Sequence, residues 1–304
     1  MNKNTIYYKQ VELLIRVLPF VAKQKCFALK GGTAINLFVR EFPRLSVDID
    51  LVYLPMKLRD DALLEICEAL DAIGLDLKKA FKDVELTEAY RSKQDTLRLI
   101  VARNGVQVKV ELSPVLRGTV YKPKLMEVCT SVEDEFGYVE MPVVDLADLY
   151  AGKICAALDR QHPRDLFDVK LLLDNEGLTD EIRKALLVYL SCHNRPMAEL
   201  LSPKFKDITA TYEGEFINMA KMDVSLAELE TVRLRLVELI HLELTDSEKS
   251  FLLSFKNRKP YWSLLGLKGV SELPAIKWKQ VNLAKMSNEK HMLALEKLKN
   301  VLGI

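Results

Sequence analysis

The stretch Phe27–Leu54, FALKGGTAINLFVREFPRLSVDIDLVYL, sets two adjacent glycines and two closely spaced aspartates in an otherwise apolar segment. Gly31 and Gly32 end a short apolar run that predicts a strand, and the residues after them have helical periodicity. SVDIDLVYL then alternates as a strand does, so Asp48 and Asp50 lie side by side on one face. The predicted order is therefore strand, glycine turn, helix and strand.

The two aspartates and the glycine turn suggest one chemistry. Two unpaired carboxylates at this spacing repel each other, and a hard divalent cation removes the repulsion. Mg²⁺ uses one or two protein carboxylates and completes its shell with water and substrate phosphates. A glycine turn that opens a helix presents backbone N–H groups to a phosphate. We predict that Asp48 and Asp50 bind Mg²⁺ (or Mn²⁺), and that Gly31 and Gly32 bind the phosphates of an NTP substrate.

Three polar side chains extend this predicted nucleotide-binding set. Thr33 either caps the helix or donates its hydroxyl to a phosphate oxygen, and Arg44 and Ser46 lie just before the aspartates. Taken alone, a Gly-Gly pair is usually only a turn, and Asp-x-Asp usually marks a solvated strand face. Their combination at this spacing favours metal–nucleotide chemistry.

The bulk composition excludes several classes of protein. The chain has 304 residues, almost half of them hydrophobic, with 44 Lys plus Arg against 43 Asp plus Glu. A formal charge of +1 gives no global basic field for nucleic acid or membrane. No signal peptide and no membrane-spanning run are recognisable, so we predict a cytoplasmic protein without a membrane partner. The five scattered cysteines are predicted to be reduced, without zinc.

The periodicity changes near residue 144. The first part predicts helices over 5–23 and 57–73, then a β-rich stretch made of LDLKKAFKDVEL, TLRLIVAR and VQVKVELS. An Asn-Gly pair, Asn104 and Gly105, separates the last two runs and predicts a hairpin. The second part predicts only helices. The predicted fold class is therefore α+β. The predicted helices after residue 144 are VDLADLYAGKICAALDR, RDLFDVKLLLDNEG, TDEIRKALLVYLSCH, SLAELETVRLRLVELIHLEL, SEKSFLLSFK and NEKHMLALEKLKNVL.

GGTAIN followed by RLSVDIDL resembles the signature of the DNA polymerase β-like nucleotidyltransferase superfamily. More narrowly, it resembles the AbiEii/AbiGii toxin family. The likeness extends from about residue 25 to the end and includes the late segment LPAIKWKQVNLAKM. It implies a nucleotidyltransferase catalytic domain with a mixed sheet over 1–143. A helical domain over 144–304 is expected to complete the active-site cleft.

The resemblance also implies further site residues. VQVKVELSP puts Glu111 at the position of a third carboxylate, so Glu111 is a candidate metal ligand beside Asp48 and Asp50; the alternative is an exposed hairpin glutamate. YAGKICAALDRQHPRDLFDVKLLL contains the family's helix lysine, here Lys153, which is expected to reach the nucleotide phosphates.

The same block contains two candidate catalytic acids, Asp165 and Asp168. One sequence does not tell which of them matches the acid of the family. The alternative is that Asp165 only complements a helix N-terminus, and that Asp168 pairs with Arg160 or Arg164. The candidate catalytic residues are thus Asp48, Asp50, Lys153, Asp165 and Asp168.

The resemblance implies the toxin of an AbiE-type (type IV) toxin–antitoxin and abortive-infection system. Such an enzyme is expected to transfer NMP from NTP to an acceptor and to release pyrophosphate. RNA, in particular the tRNA 3′ end, is the expected acceptor, and a winged-helix AbiEi-type antitoxin the expected partner. Two alternatives stay open: an NTP-binding effector without catalysis, and a small-molecule nucleotidyltransferase of the antibiotic-modifying type.

An aromatic and basic segment near the C-terminus has two interpretations. It contains Lys256, Arg258, Lys259, Tyr261 and Trp262. Such a segment either contacts RNA by stacking and phosphate pairing or forms a packed turn with solvated lysines.

Overall fold

The computed structural model describes residues 3, 5–91 and 96–304. Residues 1, 2 and 4, where the predicted N-terminal domain begins, and 92–95 lie outside the described residues. The chain divides into two compact units. Unit 1 contains 1–145 and 217–223, and unit 2 contains 146–216 and 224–304.

The segment 217–223 belongs to unit 1 through backbone hydrogen bonds. The N–H of Leu45 donates to the carbonyl of Met219 (2.8 Å), and the N–H of Lys221 donates to the carbonyl of Pro43 (2.7 Å). The sequence alone assigned 217–223 to the C-terminal domain with the rest of 144–304.

Unit 1 is built on a mixed sheet. Its strands are β1 (Phe27–Lys30), β2 (Asp48–Tyr53), β3 (Glu85–Glu88), β4 (Leu97–Arg103), β5 (Val106–Leu112), β6 (Lys124–Glu127) and β7 (Glu140–Val143). Their spatial order is β3-β4-β5-β2-β1-β7-β6. The β2–β5 and β1–β7 pairs are parallel and the other pairs antiparallel. The α+β class with a mixed sheet is confirmed.

The β4–β5 hairpin forms where the Asn-Gly pair predicts it. Asn104 and Gly105 both have positive φ, 52° and 74°, as a two-residue hairpin turn of the I′ type requires. Arg103 pairs with Val106 across this turn.

The helices of unit 1 pack apolar faces on the sheet. They are α1 (Ile6–Ala22), α2 (Gly31–Ala34) with a π-helical continuation (Ile35–Val39), α3 (Arg59–Ala80) and α4 (Thr130–Phe136). Thr5 begins α1 by accepting a hydrogen bond from the N–H of Tyr8 (3.2 Å). Val11, Leu14 and Leu18 of α1 are fully buried.

One predicted strand is wrong. The residues LDLKKA at the start of LDLKKAFKDVEL form the last turns of α3. The alternating Leu75 and Leu77 resemble a strand, but Leu77 continues a buried helical face with Leu70 and Ile73. Leu75 is 59% exposed. The strand of this stretch, β3, begins only at Glu85.

The described part of unit 2 is helical. Its α-helices are α5 (Leu146–Asp159), α6 (Pro163–Asn175), α7 (Asp180–Cys192), α8 (Met197–Leu201), α9 (Thr209–Glu215), α10 (Leu226–Glu243), α11 (Asp246–Lys256), α12 (Pro274–Ala284) and α13 (Asn288–Leu302). α5 packs against α7 at Gly152, where an added Cβ would lie 3.4 Å from the ring of Tyr189. Across residues 5–91 and 96–304, no helix is long and apolar enough to cross a membrane.

The aromatic and basic segment is largely a packed turn. The Trp262 ring lies 5.3 Å from that of Phe251 and 6.0 Å from that of Phe255, centroid to centroid. Lys256 is buried, whereas Tyr261 is 63% exposed.

Candidate active site

The glycine turn lies directly against β2 and the residues before it. Gly31 has a φ of +74°, which favours glycine, and an added Cβ would lie 2.6 Å from Oδ2 of Asp50. An added Cβ on Gly32 would lie 2.8 Å from Nη2 of Arg44 and 2.9 Å from Oγ of Ser46. The absence of side chains at both positions therefore lets the backbone approach these groups. The structure brings together the predicted residues Gly31, Gly32, Arg44, Ser46 and Asp50.

Thr33 holds α2 on β2. Its hydroxyl is buried, donates to the backbone carbonyl of Asp48 (2.5 Å) and lies 3.0 Å from Oγ of Ser46. Of its two predicted roles, the helix cap is wrong, because α2 begins at Gly31 and Thr33 lies inside it. The contact with Asp48 gives Thr33 a positioning role for the acid-bearing strand.

Arg44 is buried in unit 1 at 2% exposure. Its Nη1 donates to the carbonyl of Leu45 (2.8 Å), and its backbone forms a bridge with Ala220. Because these contacts fix the backbone and one end of the guanidinium, the Nη2 end is held beside Gly32.

Asp48 and Asp50 are half-buried and face charged residues across the sheet. Asp50 pairs in register with Lys30 on β1 and with Glu111 on β5, and Asp48 pairs with Lys109. Residues paired in register point to the same face, so Glu111 lies beside Asp50. Nε of Arg98 lies 2.5 Å from Oε1 of Glu111. Glu111 is thus next to the acid pair and also in an ion pair.

The donor chemistry of this face fits a magnesium ion with few protein ligands. Among the described residues, no three or more His, Cys, Asp or Glu side chains are grouped to hold a metal. Asp48 and Asp50 are two carboxylates on one face, the number that Mg²⁺ combines with substrate phosphates. Glu111 as a third ligand stays a prediction.

A second cluster, in unit 2, contains the predicted lysine and both predicted acids. Lys153 on α5 has its Nζ 2.8 Å from Oδ1 of Asp165 and 3.0 Å from Oδ2 of Asp168 on α6. The three side chains are 7%, 1% and 0% exposed. Arg160 closes the outer side, with Nε 2.5 Å from Oδ2 of Asp165 and Nη2 3.0 Å from Oδ1. We call these four residues the Lys153 cluster.

Local sequence explains why α6 begins where it does. His162 is the N-cap, and its Nδ1 accepts a hydrogen bond from the N–H of Arg164 (3.1 Å). Pro163 occupies the first helical position, where its missing N–H costs nothing. This start places Asp165 in the first turn and Asp168 one turn later, on the side of Lys153.

Electrostatics keeps Asp165 ionised. Burial by itself would raise the pKa of this carboxyl, but the Lys153 charge and the hydrogen bonds from Arg160 outweigh it and hold the pKa well below its usual range. The two carboxylates thus balance the two cations within the cluster. They also fix Lys153 in one place, since its Nζ has two partners.

Sequence reasoning missed two residues that shape these clusters. Arg98 was not connected with Glu111, although both lie on the polar face of a predicted hairpin. Gln161, between Arg160 and His162, is buried and has a φ of +56°, which its sequence neighbours do not signal.

The model of the nucleotidyl transferase AbiEii toxin family, of type IV toxin–antitoxin systems, matches residues 12–260. The chain belongs to the AbiEii toxin family. No curated protein sequence matches it significantly. The solved structure of MenT4, a nucleotidyltransferase toxin from Mycobacterium tuberculosis H37Rv, is similar, with a TM-score of 0.59. The two chains are 16% identical over 97% of this chain and 95% of MenT4, so the likeness shows a shared fold.

Membership of the AbiEii family confirms the resemblance drawn from the glycine turn and the Asp-x-Asp strand. The family is one of nucleotidyltransferase toxins, and a toxin–antitoxin system implies an antitoxin partner for this AbiEii toxin. The match spans both the acid-bearing strand of unit 1 and the Lys153 cluster of unit 2.

Proposed function

We propose that this AbiEii toxin transfers an NMP from an NTP to the 3′ end of an RNA, such as a tRNA, and releases pyrophosphate. The observation that carries the proposal is the contact between the glycine turn and the acid pair. Because the turn lies directly against the Asp50 carboxylate, one ligand that needs both N–H donors and a cation, a phosphate with its metal ion, is proposed to engage both.

The residues of unit 1 are proposed to bind the NTP. Asp48 and Asp50 hold Mg²⁺ (or Mn²⁺), which when bound neutralises phosphate charge and organises the triphosphate for attack. The N–H groups of Gly31 and Gly32 bind the β- and γ-phosphates, and Arg44 adds a fixed positive charge. Ser46 is proposed as a further phosphate contact.

Within the Lys153 cluster, the ammonium of Lys153 itself is proposed to stabilise the transition state. As the acceptor hydroxyl attacks the α-phosphorus, charge builds on the departing pyrophosphate, and the Lys153 ammonium stabilises it. Asp165 and Asp168 act through Lys153 by holding its ammonium in place, so they are positioning residues in this scheme.

Membership of a toxin–antitoxin family supports a proposal for the biological setting. We propose that this toxin acts in the cytoplasm, that it serves in phage defence, and that a winged-helix antitoxin encoded beside it counteracts it. RNA modification at the 3′ end would block translation, which explains why an antitoxin is needed.

Incubation with each of the four NTPs labelled at the α-phosphate, in the presence of Mg²⁺ and total RNA, tests the proposal. We expect label on RNA from the intact toxin and none from the Asp50→Asn variant. NTP binding without transfer to any acceptor would favour an NTP-binding effector. Label that appears only on a small molecule would overturn the RNA acceptor.

A further inference from the structure

A short loop of unit 2 exposes an aromatic ring between two lysines. The loop joins α8 to α9 and has no regular secondary structure over 203–208. Lys204, Phe205 and Lys206 are all exposed, and Phe205 retains 42% of its accessible surface. An exposed phenylalanine between two lysines offers apolar ring surface and positive charge together to a ligand.

The loop backbone is held by a buried side chain. Gln161, which is 1% exposed, donates through Nε2 to the carbonyl of Lys204 (2.9 Å) and accepts through Oε1 from the N–H of Lys206 (3.1 Å). These two hydrogen bonds bracket Phe205 on both sides. The backbone that presents Phe205 is therefore fixed.

Arg233 supports the same loop from α10. Its Nη1 donates to the carbonyl of Lys206 (2.7 Å) and to Oε1 of Gln161 (3.1 Å). Its guanidinium carbon lies 4.6 Å from the centroid of the Phe205 ring, a cation–π arrangement. The ring is thus supported by a buried cation and also presents exposed surface to solvent.

We infer that Lys204, Phe205 and Lys206, here called the Phe205 platform, bind single-stranded RNA. A base stacks on the exposed Phe205 ring, and the two lysines contact the flanking phosphates. An aromatic ring that is fixed in advance loses little entropy on stacking, and stacking accepts any base. The inference rests on the proposed function in one respect: it is the proposed function that makes the bound RNA strand the acceptor.

The local charges favour RNA over a protein partner. Lysine is depleted in the cores of protein interfaces, whereas lysines on both sides of an aromatic ring suit a polyanion with bases. Lys206 donates one hydrogen bond to the carbonyl of Asp159 (2.9 Å), which fixes its ammonium and leaves other N–H groups for a phosphate. The nearby Asp207 carboxylate is engaged by the N–H and hydroxyl of Thr209 (2.9 and 2.7 Å).

The platform and the Lys153 cluster share one turn of unit 2. Arg160 binds Asp165, and the next residue, Gln161, binds the loop that contains Phe205. A single left-handed residue therefore connects the backbone of the platform with the cluster proposed to act on the nucleotide.

The test is the binding of a fluorescently labelled, mixed-sequence RNA of about 12 nucleotides, followed by anisotropy without NTP. We expect Phe205→Ala to weaken binding about tenfold or more, and Phe205→Trp to restore it, because stacking requires only an aromatic face. Lys204→Gln should reduce the salt dependence by about 0.7 in log–log slope. Tyr138→Ala is the control, because Tyr138 is also an exposed aromatic residue, at 52% exposure, and has no proposed role in RNA binding.

The possible outcomes distinguish failure of the platform from failure of the proposed function. Unchanged binding by Phe205→Ala, equal loss in Phe205→Ala and Phe205→Trp, or a larger loss in Tyr138→Ala overturns the platform. Selective loss of antitoxin binding with normal RNA binding would assign the surface to a protein instead. RNA binding that requires Phe205, without label transfer by the intact toxin, would overturn the proposed function and leave the platform standing. Label transfer with an unchanged acceptor KM in Phe205→Ala would overturn the platform and leave the proposed function standing.

Discussion

The backbone of Gly31 touches the carboxylate of Asp50: an added Cβ on Gly31 would lie 2.6 Å from Oδ2. We expect Gly31→Ala to abolish label transfer and to weaken binding of an NTP analogue by at least tenfold, because the methyl group displaces either the turn or the acid. Titration calorimetry with the analogue and Mg²⁺ measures the binding.

Gly105→Ala is the matched control for that substitution. Gly105 has the same φ of +74° with nothing within 4 Å of an added Cβ. Both variants carry the backbone cost of a left-handed alanine, about 1–2 kcal/mol, in urea unfolding. If Gly105→Ala and Gly31→Ala bind the analogue equally well, the close contact has no part in binding.

The position of Glu111 allows two roles, that of a metal ligand and that of the ion-pair partner of Arg98, and two substitutions distinguish them. If it ligates the metal, Glu111→Gln should lower label transfer by tenfold or more and raise the Mg²⁺ concentration needed for half-maximal rate. Arg98→Met breaks the same ion pair and leaves the carboxylate, so its rate should stay close to that of the intact toxin. The pair is partly exposed, and its loss should change the free energy of unfolding by about 1 kcal/mol or less in either variant. Equal rates in both variants would make Glu111 an ion-pair residue only.

Lys153 combines a structural and a proposed chemical role. Lys153→Met leaves two buried carboxylates without this ammonium, and we expect about 3–5 kcal/mol of destabilisation in urea unfolding. Loss of transfer in this variant would therefore prove little by itself.

A second variant separates the two roles of Lys153. Lys153→Met with Asp168→Asn removes one charge of each sign, so we expect part of the lost stability to return. If the lysine stabilises the transition state, this double variant should stay inactive although it is more stable than the single one. Restored transfer would show that the lysine acts only through folding.

The acid stability of unit 2 should depend on Arg160. Because the pKa of Asp165 is lowered in the folded protein, its contribution is complete above the ordinary carboxyl range near 4 and is lost as pH falls toward the lowered value. Arg160→Gln removes two hydrogen bonds to Asp165, so the pKa should rise and the acid unfolding midpoint should move to higher pH. Circular dichroism against pH measures the midpoint.

Arg195→Gln is the control for Arg160→Gln. Arg195 lies 3.2 Å from Asp159 in a pair that is 36% exposed on each side, and such pairs contribute little. The acid unfolding midpoint of Arg195→Gln should match that of the unaltered toxin. An equal shift in both variants would attribute the effect to net charge rather than to Asp165.

Local patterns predicted the elements whose determinants are close in sequence. The Asn104–Gly105 hairpin and the alternation of β2 are examples, since each depends on neighbouring residues. β7 was missed because it is four residues long and contains Pro142. Its place in the sheet depends on pairing of Val143 with the distant Leu29, which no local pattern encodes.

The same limit applies to the site. The sequence predicted which side chains of unit 1 would meet, because the glycine turn and β2 are joined by one helix. It did not predict that Lys153 contacts both Asp165 and Asp168 at once, since the geometry between α5 and α6 depends on the turn at Gln161. The role of Thr33 was also beyond a pattern, because its partner is a backbone carbonyl.

The strand order of unit 1 imposes a sequence of events on protein synthesis. β2 lies between β1 and β5, and β1 in turn has β7 as its outer neighbour. In a nascent chain that has not yet reached Leu112, β2 lacks its partner β5, and β1 gains its partner β7 only once Val143 has been made. A translation product that ends before these residues lacks the strands that flank the acid face, so we expect it to be inactive in label transfer.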